Sequence, residues 1–193
     1  MNEKQKRILE VSIEIFYNKG YANTPVRDII DASGFGTSTF YRYFQNKEEI
    51  LKQLLENFFL KIFHNINTFT IEREDFYQDF IEIKQVIMQT FIQNPKLSEL
   101  YSRSAGTSRL IDECLKSFDD KFLLFYQNQV QYGMDEGFFR AAPTLPIAIS
   151  TLATIKYVAY KWSVVKEISK EDMINLVLSF HKSILYGIVA NSE

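Results

Sequence analysis

One short segment of the chain carries the side chains best suited to contact a nucleic acid. Its hydrogen-bonding side chains are Thr37, Ser38, Thr39, Tyr41, Arg42 and Tyr43. Hydroxyl groups can bond to base edges or phosphates, and an arginine can contact guanine or a phosphate. Phe40 and Phe44 lie four residues apart and would share the inner face of a helix. A helix that buries two phenylalanines and exposes hydroxyls and a cation has the pattern of a major-groove reader.

Helix boundary signals on both sides would position this segment. Thr24 is expected to cap a short helix that begins at Pro25, and Gly34 permits the left-handed exit from it. A capped helix, a glycine-containing turn and a second short helix have helix-turn-helix spacing. Asn46 then opens a long helix as a capping residue, and Lys47 in its first turn adds a cation beside free N–H groups.

Helical periodicity continues to the end of the chain, and glycine and proline number only seven and four. Helices are predicted over residues 3–18, 25–33, 36–44, 46–67, 72–93, 96–104, 109–136, 147–166 and 170–189. The fold class is therefore all-α, with about nine helices and no convincing strand. We expect a helix-turn-helix domain over residues 1–46 and a helical bundle over residues 47–193.

Composition excludes several classes of function. The 193 residues carry a net charge of −2, so no global charge attracts nucleic acid. A single cysteine and two distant histidines predict no disulfide and no metal site. Paired carboxylates, a nucleophile elbow and a phosphate loop are all missing, so we expect neither an enzyme nor a cofactor.

The sequence also indicates where the protein acts. A lone cysteine is typical of a reducing compartment, and the polar start of the chain gives no secretory signal. The longest apolar stretch, near residues 145–155, is too short to span a bilayer. We therefore expect a cytoplasmic protein that has no membrane partner.

The first fifty residues resemble the N-terminal domain of the TetR family of transcriptional regulators. The similarity spans about 45 residues, and its ending, Tyr-x-Tyr-Phe-x-x-Lys-Glu, is quite specific. It rests on Arg7-Ile8-Leu9, Phe16, Gly20-Tyr21, Thr24, Val26-Arg27-Asp28-Ile29, Ala32, Gly34, Thr39-Phe40-Tyr41-Arg42-Tyr43-Phe44, Lys47-Glu48-Glu49 and Leu51.

The resemblance implies a homodimeric repressor that binds a palindromic operator in double-stranded DNA and is released by a small, largely apolar effector. Two copies of the third helix would enter successive major grooves. The positions matching DNA-contacting positions of the family, together with Ser38 beside them, are Thr24, Thr37, Ser38, Thr39, Tyr41, Arg42, Tyr43 and Lys47. Of these, Tyr43 and Lys47 would contact phosphate.

Two departures from the family pattern bear on DNA affinity. Gly36 stands where a serine or threonine usually caps the recognition helix, and Thr37 stands where many members have a cation. The first fifty residues hold seven basic and seven acidic side chains, so their net charge is zero. An alternative function therefore stays open: a ligand- or partner-binding helical protein whose helix-turn-helix no longer binds DNA.

The larger domain offers weaker signals. Candidate effector-binding residues, with the arginines suited to an anion, are Tyr101, Arg103, Arg109, Phe122, Tyr126, Tyr157 and Trp162; for the aromatics the alternative is core packing. Apolar stripes on the last two helices suit a two-fold four-helix interface. Its candidates are Leu152, Ile155, Ala159, Ile174, Leu178, His181 and Leu185, with intramolecular core as the alternative.

Overall fold

The computed structural model describes residues 2–69 and 76–188, and within these ranges the chain forms nine α-helices and no strand. The all-α prediction is confirmed. The helices are α1 (Glu3–Lys19), α2 (Val26–Ser33), α3 (Thr37–Tyr41), α4 (Lys47–Thr68), α5 (Phe76–Gln93), α6 (Pro95–Arg103), α7 (Arg109–Asp135), α8 (Thr144–Tyr160) and α9 (Lys170–Ile188). The predicted start of the fifth helix, at residue 72, lies outside the described residues.

The first three helices form a small head around apolar side chains from each of them. Ile8 and Phe16 of α1, Ile29 of α2 and Phe40 of α3 are almost completely buried and belong to one hydrophobic cluster. Phe44 follows α3 and is also buried, as its spacing from Phe40 predicted. A helix as short as α3 is not stable alone, so its conformation depends on these two anchors.

Side-chain capping marks the start of four of the described helices, α1, α4, α7 and α9. The Asn46 side chain accepts from the Glu49 N–H at 2.9 Å, and Ser169 accepts from Asp172 N–H at 3.0 Å, as predicted. The cap predicted at Thr24 was wrong. Its hydroxyl donates to the Gly20 carbonyl at 2.8 Å, because the chain turns tightly there, and α2 begins without a side-chain cap.

Helices α4 to α9 pack into a bundle that continues the same core. The pairs α7 with α8 and α5 with α9 make extensive contacts, and α4 lies against α5 and α7. Aromatic rings fill the centre: Phe59 stacks on Phe118 with centroids 3.9 Å apart, and Phe122 meets Tyr126 edge-on at 4.9 Å. The head joins this bundle through contacts of α1 with α4 and α6.

The eighth helix ends differently from its prediction. The sequence predicted one helix over residues 147–166, whereas α8 begins at Thr144 and gives way to a π-helical turn, Lys161–Val165. Lys166 ends that turn in the left-handed conformation, with a φ of 62°. The wider turn lets the buried Ser163 hydroxyl bond to the Ala159 carbonyl at 2.6 Å and to Ser102 of α6 at 3.1 Å.

Gly133 is the point of closest packing in the bundle, and it yields a stability prediction. A Cβ placed there would lie 2.6 Å from Phe139 Cε2 and 3.0 Å from Phe76 Cε1, and both rings are buried. We expect Gly133→Ala to lower the free energy of unfolding by about 1–3 kcal/mol, because overpacking displaces buried rings. Chemical denaturation followed by circular dichroism measures the change.

Gly187→Ala is the matched control, since Gly187 is helical and a Cβ there meets nothing within 4 Å. That variant should keep or slightly raise the stability, by up to about 1 kcal/mol. Equal effects of the two substitutions would refute the close packing at Gly133.

Candidate nucleic-acid interface

The outer face of α3 is polar and open to solvent. Thr37, Ser38, Tyr41 and Arg42 are exposed, whereas Thr39 and Tyr43 are half-buried. Backbone N–H groups of Tyr43 and Phe44 donate to the Phe40 carbonyl at 2.9 and 3.1 Å, so the helical course extends past the last residue of α3. The structure therefore brings six of the predicted DNA-contacting side chains together on one short element.

Arg42 differs from the other cations near it because its guanidinium is free for an external partner. Within the described ranges it makes no hydrogen bond or ion pair. By contrast, Lys19 pairs with Asp28 at 2.6 Å, and Arg27 lies 3.7 Å from Asp31. These pairs neutralise Lys19 and Arg27, so Arg42 supplies unpaired positive charge at the end of α3.

The ammonium of Lys47 is held inside the head rather than extended into solvent. It donates to the carbonyls of Tyr21, Ala22 and Thr24 at 2.8, 3.0 and 3.0 Å. It also lies 4.7 Å from the centroid of the Tyr21 ring. All three of its donors are thus engaged, and they tie the loop between α1 and α2 to the start of α4.

Thr24 lies in that same loop and is buried, with only 1% of its surface exposed. Its hydroxyl and its N–H are both used within the turn, on the carbonyls of Gly20 and Tyr21. Thr24 and Lys47 were predicted from sequence as DNA contacts. We infer that they act by positioning the loop in front of α2, with the Lys47 charge adding to the local positive potential.

The predicted effector residues separate into interior and surface groups. Tyr101, Phe122 and Tyr126 are buried among aromatic rings, and Trp162 is half-buried. Tyr157 is 63% exposed on α8, so it belongs to the surface. The side chains of Arg103 and Arg109 are also exposed and pair with Glu99 and Glu113 on their own helices. Neither arginine therefore faces the interior, and their predicted role in binding an anionic effector stays a prediction for the protein surface.

Several cavities open at the surface of the described residues, and one of about 330 Å³ lies beside Tyr43, Glu49 and Leu110. Another, of about 310 Å³, lies between the end of α1 and α6, and its lining includes Tyr17, Lys19 and Arg103. A third, of about 230 Å³, opens between α4 and α7 beside Phe59, Phe118 and Cys114. Burial raises the pKa of the Cys114 thiol, which opposes a reactive role.

The predicted dimer residues are placed mostly in the core of a single chain. Exposed fractions of 0–7% leave five of them no surface for a partner, whereas Ile174 and Leu178 are half-buried. The five are Leu152, Ile155, Ala159, His181 and Leu185. This corrects the residue-level prediction: the sequence pattern marked the inner faces of α8 and α9, which pack against each other and against α5 and α7.

Other kinds of site find no support in the part of the chain that the structure describes. It contains no group of three or more His, Cys, Asp or Glu side chains that could hold a metal ion. It also contains no helix with the length and apolar character needed to cross a bilayer.

Comparison with known proteins also indicates a regulator with a helix-turn-helix. The sequence profile of bacterial regulatory proteins of the tetR family matches residues 8–54, which span α1 to the first part of α4. A crystal structure of a TetR-family transcriptional regulator from Syntrophomonas wolfei shares 49% sequence identity with the chain. That match covers 96% of both chains with a TM-score of 0.88. The chain belongs to the TetR family.

More distant relatives are also HTH-type transcriptional regulators. An HTH-type transcriptional regulator of Bacillus subtilis, YuxN, is 24% identical over 128 residues. This match covers 65% of the chain but only 44% of YuxN, so the chain spans less than half of that relative. The transcriptional repressor KstR2 of Rhodococcus jostii is 20% identical over 176 residues, covering 82% of the chain and 79% of KstR2. The protein is thus a TetR-type transcriptional regulator with a helix-turn-helix.

The three hydrogen bonds from the Lys47 ammonium to the loop between α1 and α2 give a second prediction. Lys47→Met removes three charge-assisted hydrogen bonds and leaves loop carbonyls with weaker partners, so we expect a loss of about 2–3 kcal/mol in the free energy of unfolding. The control is Lys52→Met on the same helix. Lys52 pairs only with Glu56 at 2.5 Å, and the change should stay within about 0.5 kcal/mol. If urea denaturation gives equal stability for both variants, Lys47 does not hold the loop.

Proposed function

We propose that the protein is a repressor that binds a palindromic operator as a homodimer and leaves the DNA when a small effector binds its larger domain. Residues 1–46 would form the DNA-binding domain and residues 47–193 the effector and dimerisation domain. Such a regulator acts where bacterial DNA lies, in the cytoplasm.

The observation that carries this proposal is the outer face of α3. Buried Phe40 and Phe44 anchor the helix, while Ser38 and Arg42 on its other side are exposed. Small hydroxyl side chains let a helix approach base edges closely, and an unpaired arginine can bind guanine O6 and N7. Tyr43, half-buried at the end of the helix, is suited to reach a phosphate and fix the orientation of the head.

A homodimer is supported by an apolar stripe on the outer side of α8. Leu145, Ile149, Ala153 and Tyr157 follow each other at intervals of four residues, and all are exposed. Leu176 of α9, a helix that packs against α8, is also 50% exposed. Two such surfaces related by a two-fold axis would form an isologous interface and set two α3 helices for successive major grooves.

Release by an effector is supported by the contact between head and bundle. The α1–α6 contact includes an ion pair between Lys96 and Glu14, and Ser108 at the start of α7 donates to Glu48 of α4. Exposed pairs of this kind contribute little individually, and the cavity of about 310 Å³ beside them leaves this junction incompletely packed. A ligand that moves α6 or α7 could therefore shift the head at a small cost.

Base readout by Arg42 gives the third prediction. With duplexes that carry the bound sequence and all its single-base variants, Arg42→Ala should lose discrimination at one or two base pairs, each worth about 1–3 kcal/mol. Tyr43→Phe is the comparison, because loss of a phosphate contact weakens binding to every duplex by a similar factor. Fluorescence anisotropy supplies both affinities. Equal losses on all duplexes for Arg42→Ala would exclude a base contact.

The exposed stripe on α8 gives the fourth prediction. Ile149→Asp places a charge in the centre of the proposed interface, so we expect sedimentation velocity to show a monomer at micromolar concentration, where the unchanged protein is a dimer. The matched control is Leu60→Asp on α4. Leu60 is 66% exposed outside the stripe, and its variant should remain a dimer. An unchanged protein that sediments as a monomer contradicts the proposal.

The zero net charge of the first fifty residues favours the alternative of a head that does not bind DNA. Salt dependence separates the two functions. A repressor loses affinity steeply between about 50 and 200 mM salt, in proportion to its phosphate contacts. A protein that does not bind DNA shows no measurable association at either salt concentration.

A further inference from the structure

A lysine lies at the centre of the larger domain with none of its surface exposed. Lys84 of α5 is completely buried, and its ammonium donates to the Phe80 carbonyl one turn earlier. The same ammonium lies over the Phe80 ring and 5.0 Å from the centroid of the Tyr126 ring. Within the described ranges, no carboxylate forms an ion pair with it.

This arrangement is costly for an isolated chain. One carbonyl and two ring faces replace only part of the hydration that an ammonium loses on burial, and among the described residues the Phe80 carbonyl is its one hydrogen-bond acceptor. Burial therefore lowers the pKa of Lys84 well below its ordinary value. Buried lysines are normally paired, so a partner from outside the chain is the simplest account of its retention.

Two further polar groups lie beside Lys84, on other helices of the bundle. The hydroxyl of Tyr126 in α7 is buried and has no hydrogen-bond partner. His181 of α9 bonds through Nδ1 to the Val177 carbonyl at 2.6 Å and through Nε2 to the Thr151 hydroxyl of α8 at 3.2 Å.

The histidine does not add a second cation. Burial, with the neighbouring Lys84 charge, lowers the pKa of His181 to about 3 and keeps the ring neutral. Because the Val177 carbonyl can only accept, Nδ1 carries the proton and Nε2 accepts from Thr151. The unused hydrogen-bonding capacity of the cluster therefore includes donors on Lys84 and Tyr126, besides the acceptor lone pairs of the Tyr126 hydroxyl.

The surroundings of these donors are aromatic and apolar. Phe80 contacts the rings of Phe76 and Phe139, and Tyr126 contacts Phe122 and Phe125. A ligand that matches this site carries a negative charge at one end and an apolar body. Phosphate esters and other strongly hydrated dianions fit poorly, because a single lysine would leave part of their charge unpaired in the core.

We propose that Lys84 and the Tyr126 hydroxyl bind the carboxylate of an apolar organic acid, whose hydrocarbon body displaces aromatic rings of α5 and α7 that contact one another in the free chain. The inference rests on the proposed function only in naming this acid as the effector; binding of the acid itself does not require DNA. In this proposal Lys84 and Tyr126 bind the anion, in place of Arg103 and Arg109, which lie on the surface.

The test compares acids with alcohols of the same chain length. The full chain is titrated by isothermal calorimetry, without DNA, with hexanoate, octanoate, decanoate, dodecanoate and phenylacetate, and with the corresponding primary alcohols. We expect at least one acid to bind about 10-fold or more tightly than its alcohol, because only the acid pairs with the Lys84 charge.

Lys84→Met keeps the apolar stem and removes the charge, and it should abolish the preference for the acid over the alcohol. The variant should also melt about 4 °C or more above the unchanged protein, since an uncompensated buried cation is lost. Tyr126→Phe removes only the hydroxyl and should weaken acid binding about 10-fold. Lys116→Met, at an exposed lysine paired with Asp120, is the control and should change neither property.

Failure to detect binding of any acid in the set, or an acid preference that survives Lys84→Met, overturns the inference. The two proposals fail separately. A protein that binds operator DNA but no acid contradicts this inference alone. A protein that binds the acid but no DNA contradicts the proposed repressor and leaves the acid site standing.

Discussion

The proposed DNA-facing surface depends on the burial of two phenylalanines. Helix α3 has five residues, too few for a helix that is stable by itself, and it keeps its shape because Phe40 and Phe44 fill the core of the head. That anchoring leaves Thr37, Ser38, Tyr41 and Arg42 exposed to solvent, with Thr39 and Tyr43 half-buried beside them. The Lys47 ammonium fixes the other side of the head by holding three loop carbonyls. A rigid head is needed because base readout requires side chains placed to within a fraction of an ångström.

Cations of the head and of the bundle have opposite surroundings. Lys19 and Arg27 on the surface of the head are paired with neighbouring carboxylates, whereas Arg42 makes no ion pair within the described ranges. In the bundle, Lys84 is buried with aromatic rings and a carbonyl in place of a counter-charge. Between them, α1 and α6 meet across a cavity and an exposed ion pair. The junction between head and bundle therefore combines a shared apolar core with an exposed ion pair and a cavity.

Much of this architecture follows from sequence. The nine helices, the inward Phe40 and Phe44 and the caps at Asn46 and Ser169 were predictable, because period, spacing and capping are local properties. Tertiary features could not be predicted from the sequence. The helical pattern of α8 and α9 identifies one apolar face of each but cannot tell whether it meets another helix or another chain, and Leu152 and Ile155 proved to be core. Lys84 gave no sequence signal beyond a cation on an apolar helix face, which Phe80, Ile83 and Ile87 around it could have suggested.

Selection of bound sequences from a pool of random duplex DNA tests the central claim most directly. Full-length protein is incubated with the pool at low salt, and bound duplexes are recovered, amplified and sequenced over several rounds. A dimeric repressor that reads DNA with α3 should enrich an inverted repeat whose half-sites lie about one helical turn apart. A pool that stays random after selection, or an enriched sequence without two-fold symmetry, would contradict the account.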